Sequence, residues 1–401
     1  MKLLHTSDWH VGKAIRGHSR ADEHRAVLDE IVGVAHREVV DLVVVAGDLF
    51  ETAAPSPESE GIVYDAFLRL SEVAPVVVVA GNHDNPRRLG AVAPLLRLGR
   101  VTLATEPVAP DLGGVVSMQV EDGTRVQVAL LPFVSQRGIV RAEQLMNDAA
   151  YEQAQRYSDR LQRVLAALTS GFNSDTVNLI VAHAFVRGGA AGGGERSAHL
   201  QDEYAIPAVA FPASASYVAL GHLHRPQVVR GATSMHYCGS PLQLDFGEEQ
   251  QTKQVNLVEL APGLPAKVTP IPLVSGRGLQ TLRGTLAQLE SVADTVGDAW
   301  LRVRVNEASR PGLADDVRAI LGQGVVDVVV DHDTVPLARA ARRRDGRSPQ
   351  QLFGDYLAQT EVVDPRLELG FGQLWDEVVQ GNDVVQGNDA VQRDGAGVGG
   401  V

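Results

Sequence analysis

The stretch VVVVAGNHD at residues 76–84 decides the reading of this chain. Four valines, a small residue and a glycine, followed at once by polar side chains, are what a buried strand looks like where it runs out into a functional loop. Asn82 offers an amide oxygen, His83 an imidazole and Asp84 a carboxylate in consecutive positions. The same arrangement recurs on both sides of it. The apolar run at 2–7 leads to Asp8 and His10, and 42–46 leads to Gly47 and Asp48. Further on, 177–182 leads to His183, and 217–220 leads through Gly221 to His222 and His224. In layered α/β folds the ligand crevice lies at the carboxyl ends of the strands, so these polar tips are expected to converge on one place.

Each tip alone has a plainer reading. Asp8 and His10 read equally as a turn aspartate and a surface histidine, Gly47-Asp48 as a turn or helix cap, and His183 as a buried structural histidine. His222 and His224 are more specific, because alternate residues of an extended strand point the same way and paired imidazoles at that spacing are a common metal-binding device. As an ordered series the tips read as a two-metal hydrolase site. Two divalent cations roughly 3.5–4 Å apart share a carboxylate, lower the pKa of a water and clamp both oxygens of an in-line displacement at phosphorus.

The ordered set Asp8-x-His10, Gly47-Asp48, Gly81-Asn82-His83-Asp84, His183 and Gly221-His222-x-His224 resembles the calcineurin-like metallophosphoesterases. The stretches MKLLHTSDWHVGK, VVVAGDLFET, VVVVAGNHDNPRRL, VALGHLHRPQ and YCGSPLQLDFGEE narrow that resemblance to the bacterial SbcD nuclease family, relatives of the double-strand-break-repair nucleases, over residues 1–375. It implies an α/β (α+β sandwich) fold, a two-sheet core flanked by helices. It also implies that Asp8, His10, Asp48 and His224 hold one metal while Asp48, Asn82, His183 and His222 hold the other, Asp48 bridging. His83 would then do acid–base work at the leaving sugar oxygen with Asp84 as the partner orienting its ring; a purely structural His83 is the other reading. Imidazole, carboxylate and amide donors without a thiolate leave manganese, iron, cobalt, nickel and zinc open. The resemblance favours two Mn2+ per subunit, whereas the affinity order favours zinc.

With 401 residues, 44% of them hydrophobic, the chain is long enough for a substantial core and two or three domains. A single cysteine, Cys238, excludes an internal disulfide framework. The polar break early in MKLLHTSDWH leaves no apolar core for a signal peptide, and no run approaches the roughly 18 apolar residues needed to cross a membrane. A cytoplasmic protein is expected. The balance of 49 acidic against 36 basic residues argues against bulk electrostatic attraction to DNA. Lys13, Arg16, Arg20, Arg87, Arg88, Arg187, Arg196 and Arg225 nevertheless sit beside the polar clusters. They read either as a phosphate track or as ordinary surface charge.

Helical spacing at 22–37 and 56–71 alternates with the strands in βαβ fashion, and 144–170 reads as a long amphipathic helix. Strands at 115–120 and 126–131 flank a hairpin turn. The glycine- and alanine-rich 188–194 reads as a mobile loop or a gate. Strands at 254–260 and 266–271 close the first domain, expected at 1–275. A strand–helix–strand–helix–strand pattern follows in 276–337, which by resemblance corresponds to a capping domain. Two short helices in 338–380 carry Leu352, Phe353, Tyr356, Leu357, Leu374 and Trp375, which by resemblance dock on the SbcC ATPase. They read alternatively as a helical pair folded back on the cap. The repeated VVQGND in 381–401 reads as a disordered tail whose removal leaves activity intact.

The resemblance therefore implies a DNA nuclease subunit, exonucleolytic (3′–5′) on duplex ends and endonucleolytic on single strands and hairpins. It would work with an SMC-like ATPase in DNA end processing, repair and recombination, as a homodimer within a heterotetramer, paired through helices at 56–70 and 89–98. A phosphoesterase acting on nucleotides or phosphoproteins, and a metal-free scaffold of the same fold, are the alternatives.

Overall fold

Valine-rich runs buried on both faces need apolar layers on both sides, and that requirement organises the molecule. The computed structural model describes residues 1–134, 157–195 and 205–331, with Phe353, Leu357, Leu367, Gly370 and Phe371. In chain order, β1 (Lys2–Thr6), α1 (Ala21–Glu38), β2 (Leu42–Val45), α2 (Pro57–Val73), β3 (Val76–Val79), α3 (Pro86–Leu98) and β4 (Val101–Ala104) build successive βαβ steps. β1, β2, β3 and β4 pair in parallel. The chain then forms β5 (Val115–Gln119), β6 (Arg125–Leu131), α4 (Tyr157–Leu168), β7 (Val177–His183), β8 (Tyr217–Gly221), β9 (Gln227–Val229) and β10 (Met235–Tyr237). These strands make a second sheet in the order β5-β6-β7-β8-β10-β9. β11 (Gln254–Glu259) and β12 (Lys267–Pro272) return to the first sheet and extend it antiparallel beside β1.

The alternation along β2 shows why the runs are uniformly apolar. Val43 and Val45 pack with Ile31, Val63, Phe67 and Leu89 of the helices, whereas Leu42 and Val44 pack with Val128, Leu179 and Tyr217 of the second sheet. The outer face of that sheet is covered by Leu161, Val164, Leu165 and Leu168 of α4. Each such side chain removed from water contributes about 1.5–3 kcal/mol. The expected sandwich is formed. Helix starts follow local chemistry: Ser56 accepts from the Ser59 N–H ahead of Pro57, and Asn85 accepts from the Arg87 and Arg88 N–H groups ahead of Pro86.

β13 (Leu279–Gly284), α5 (Leu286–Val292), β14 (Trp300–Val305), α6 (Leu313–Leu321) and β15 (Val325–Val330) form a separate three-stranded parallel sheet. A Thr285–Gln288 capping box starts α5. This layer is fastened to the sandwich. Arg16 pairs with Asp327 at 2.9 Å, the Trp300 indole donates to Glu23 at 2.8 Å, and Ile15, Phe246, Leu279 and Trp300 share a small apolar cluster. The Leu279 and Thr281 amides donate to Gln243 Oε1 and Glu249 Oε2 at 2.7 and 2.8 Å, and the Arg302 guanidinium lies 4.3 Å from the Phe246 ring centre.

The sandwich and this layer belong to one compact unit, Met1–His332, and a second unit comprises Asp333–Val401. Of the helix expected at 144–170, the described part runs over Tyr157–Leu168. In the second unit Phe353 stacks on Phe371 at 4.3 Å and Leu357 is buried. Leu352, Tyr356, Leu374, Trp375 and the tail at 381–401 lie outside the described residues.

Candidate metal centre

The carboxyl ends of β1, β2, β3, β7 and β8 meet, and with them Asp8, His10, Asp48, Asn82, His83, His183, His222 and His224. The backbone there is unusual. Asp8, His10, Asp48 and His222 all have positive φ, at 53°, 46°, 51° and 107°, a region that side-chain-bearing residues occupy only when surrounding contacts compel it. The contacts are present: Asp8 N–H donates to Gly47 O at 2.9 Å, His10 N–H to Asp48 O at 3.0 Å and Val11 N–H to Leu49 O at 3.0 Å, so the loops after β1 and β2 stay paired past the strand ends. His83 N–H donates to Asp48 Oδ1 at 2.8 Å, and His222 N–H to Asp8 Oδ1 at 2.9 Å. Two glycines permit this closeness, since a Cβ on Gly81 would overlap Asp48 Oδ1 and one on Gly221 would overlap Ala46 O.

The imidazoles are held from behind. His10 Nδ1 lies 3.0 Å from Glu51 Oε2, His224 Nδ1 3.0 Å from Glu248 Oε1, and His183 Nδ1 2.8 Å from Ala46 O. Their opposite nitrogens face inward. His10 Nε2 and His224 Nε2 are 3.1 Å apart. Asn82 Oδ1 stands 3.0 Å from His183 Nε2 and 2.8 Å from His222 Nδ1. Asp48 Oδ2 lies between the two sets, 3.4 Å from His10 Nε2 and 3.5 Å from His183 Nε2. Donor atoms of Asp8, His10 and His224, of Asp8, Asp48 and His183, and of His10, Asp48 and His83 each fall within 4.8 Å of one another.

Electrostatics here call for cations. Burial pushes the Asp8 carboxyl up against the pull of His183 and His224. Burial acts on Asp48 in the same sense, but His183, His10 and His83 outweigh it and hold that carboxyl well below its usual range. Burial would lower His183, yet Asp48 and Asp8 raise it to about 9. Glu51 drops to about 2 because His10 and Lys13 overcome its burial, and Glu248 drops to about 2 because His224 and Lys253 overcome its own. Buried carboxylates that pull protons onto neighbouring imidazoles form a site that divalent cations would satisfy. Two glutamates hold Nδ1 and turn Nε2 toward the same point, as metal-ligating histidines commonly are. The donor set fits a pair of divalent ions.

Several expectations are corrected. Asp84 does not orient His83. Its oxygens accept from the backbone N–H groups of Gly81 at 2.8 Å, Leu49 at 3.1 Å and Phe50 at 3.1 Å, so it ties the loop after β2 to the loop after β3; burial, then Asp48, pushes it up to about 6. His83 Nδ1 instead lies 2.7 Å from Glu51 O. The loop at 188–194 is hydrogen-bonded where it stands. Gly192 and Gly193 N–H donate to Glu195 at 2.6 and 2.8 Å, the Gln251 amide to Gly192 O at 3.0 Å, and Gln227 exchanges two 2.7 Å bonds with Ala190. Gly192 and Gly194, lacking side chains, lie directly against His224.

The basic residues divide. Arg20 is excluded from any DNA track, because its guanidinium is 0% exposed, paired with Glu23 and bonded to Gln243 O. Lys13 pairs with Glu51 at 2.8 Å, Arg16 with Asp327, and Arg88 with Glu60 at 2.7 Å. Arg87, Arg187 and Arg225 are exposed and without an ion pair among the described residues. Arg196 lies outside them.

Sequence reasoning did not single out Glu51, Glu195, Glu248, Lys253 or Phe133. Glu51 stands three positions after Asp48 and Glu248 two after Phe246, both within the stretches that carry the resemblance, which was the available signal. Phe133 stacks on His222 at 6.3 Å, with nothing in its local sequence to mark it.

A family model for calcineurin-like phosphoesterases matches residues 1–226. The chain is 34% identical over 328 residues to the SbcD component of the SbcCD nuclease of Bacillus subtilis (strain 168), covering 79% of this chain and 81% of that protein. It is 30% identical over 392 residues to the Escherichia coli (strain K12) protein of the same name, covering 92% and 93%. A third such protein, from Rhodobacter capsulatus, is 33% identical over 315 residues, covering 73% and 76%.

Proposed function

The chain belongs to the calcineurin-like phosphoesterase family, within it to the SbcD nuclease subunits, and from that premise we propose that it hydrolyses DNA phosphodiesters with two divalent metal ions. The observation that carries this is the convergence of the inward-facing donors on Asp48. Asp8, His10, Asp48 and His224 would hold one ion, and Asp48, Asn82, His183 and His222 the other, with Mn2+ as the metal. Bound there, such ions supply Lewis-acid polarisation of the phosphodiester and activation of the attacking water.

The chain's own groups do the rest. Asn82 presents its amide oxygen between His183 and His222, so one residue sets the spacing of two imidazoles. His83, with Nδ1 directed to the Glu51 carbonyl and its ring packed edge-on 4.6 Å from His10, would protonate the leaving oxygen. Asp84 contributes indirectly by fixing the loop that carries it. Among the described basic residues beside the polar clusters, Arg87, Arg187 and Arg225 would be available to DNA phosphates; Lys13, Arg16 and Arg88 would reach them by leaving their carboxylates.

The finer reading is 3′–5′ exonuclease action on duplex ends and endonuclease action on single strands and hairpins, in the cytoplasm, jointly with an SMC-like ATPase. Relatives named as parts of SbcCD support the partner, and no helix among the described residues is long and apolar enough to cross a membrane. Residues 276–337 would act as the cap. Phe353 and the neighbouring apolar residues 352, 356, 374 and 375 would meet the ATPase, while Leu357 already has its surface covered. Leu68, Leu95 and Leu98, exposed at 50%, 69% and 86% on α2 and α3, support pairing of two copies through those helices.

The test is digestion of an end-labelled duplex and a hairpin in Mn2+, with and without SbcC, beside Asp48→Asn. Cutting that requires metal and disappears in the variant is the expected result. Intact DNA in every reaction together with hydrolysis of a small phosphodiester would replace this reading with a general phosphoesterase.

A further inference from the structure

Behind His224 lies a carboxylate that the reaction does not touch. Glu248 is fully buried, in the short turn of helix Phe246–Glu248. Its two oxygens do different things. Oε2 accepts from the Lys253 ammonium at 2.7 Å and the Leu244 N–H at 3.0 Å, whereas the hydrogen-bond partner of Oε1 among the described residues is His224 Nδ1, at 3.0 Å. Lys253 is itself buried and also bonds His224 O, Ser240 Oγ and Gln251 Oε1, each at 3.0 Å. The neutralising cation is therefore locked to the same backbone as the histidine. Glu51 behind His10 is the open counterpart, partly exposed and reached by the partly exposed Lys13.

We propose that Glu248 is a positioning residue that fixes His224 in the Nδ1–H tautomer, so that Nε2 is the nitrogen presented to the metal beside His10. An ionised carboxylate only accepts, so the ring nitrogen facing Oε1 has to donate, and its remaining lone pair then sits on Nε2. The inference rests on the metal reading above but adds a residue to it.

The geometry makes Glu248→Gln a sharp probe. Two donors, from Lys253 and Leu244, converge on the Oε2 position, so a glutamine settles with its oxygen there and its NH2 group toward His224. That turns Nδ1 into the acceptor and moves the ring proton to Nε2, against the metal. The side chain is nearly isosteric, so the shape is kept while the charge facing Lys253 is lost and the polarity facing His224 is reversed, and it is the NMR comparison that isolates the tautomer.

Two measurements decide it on the full chain. Nitrogen-15 NMR of labelled histidine in metal-free protein, with the His224 signal assigned by its loss in His224→Gln, is expected to show Nδ1–H in the unmodified protein and Nε2–H in Glu248→Gln. Calorimetric titration with Mn2+ alone is expected to show two binding events in the unmodified protein, one of them weakened about 10- to 100-fold in Glu248→Gln. An Nε2–H tautomer in the unmodified protein overturns the proposal without reference to any variant, and so does unchanged affinity at both sites in Glu248→Gln. Absence of Mn2+ binding by the unmodified protein would instead defeat the metal reading, and the tautomer comparison would still decide the role of Glu248.

Discussion

His10 Nε2 and His224 Nε2 face each other across 3.1 Å, each on a ring whose Nδ1 is engaged by a glutamate. Two lone pairs so placed repel unless a cation or proton lies between them. Divalent metal should therefore stabilise the folded chain. At a hundred times its dissociation constant a ligand adds about 2.7 kcal/mol, so Mn2+ is expected to raise the unfolding temperature by several degrees and EDTA to reverse the rise. Identical melting curves in both conditions would contradict the assignment.

Asp48→Asn should separate chemistry from folding. Asparagine tolerates the positive φ at this position and keeps an oxygen for the His83 N–H, but it removes the charge that balances His183 and His10. Hydrolysis should fall on the order of 10³-fold while the urea midpoint moves little. A variant retaining a tenth of the activity would show that Asp48 does not bridge.

Gly81→Ala forces a methyl group onto the Asp48 carboxylate and amide. Overpacking of this kind costs about 1–3 kcal/mol, and misplacing a reactive group by about 1 Å costs on the order of 10²-fold in rate. Both losses are expected together. Gly33→Ala in α1, where nothing lies within 4 Å of the new atom, serves as the control and should be neutral or stabilising by up to about 1 kcal/mol.

His24 predicts an acid sensitivity unconnected with catalysis. Its ring is buried and its pKa falls from 6.5 to about 4, burial being the main cause. The unfolded chain therefore binds more protons than the folded one between those values, and stability present above pH 6.5 is lost as pH falls toward 4. At 1.36 kcal/mol per pH unit the loss is on the order of 3 kcal/mol. His24→Gln keeps a donor for Arg20 O but has nothing to titrate. Denaturant unfolding at both ends of this range should show a smaller difference in the variant; an equal difference would place the proton elsewhere. His5, lowered to about 3 chiefly by burial, should leave a residual dependence of the same sign.

Much of the site was legible because its logic is local. A run such as Val76–Val79 is buried on both faces, so its end is sharply marked, and Asn82 and His83 stand where it stops. What was not legible is what the tertiary structure recruits. Arg20 resembles its neighbours Lys13 and Arg16 in sequence, yet Glu23 and the carbonyl of Gln243 bury it. Asp84 adjoins His83 in the chain, but three backbone amides take its oxygens first. Short pairings such as β9 with β10 span too few residues for periodicity to register. The left-handed backbone of Asp8 and His222 carries no mark in the residue types.

The segment from Gln243 to Glu249 joins two parts of the molecule usually considered apart. Gln243 and Glu249 receive amides of β13, Phe246 lies under Arg302 of β14, and Glu248, between them in sequence, holds the ring of His224. The three-stranded layer is thus harnessed to the metal pocket by a strap only a few residues long. A displacement of that layer would be passed through the strap to the carboxylate that holds the ring of His224.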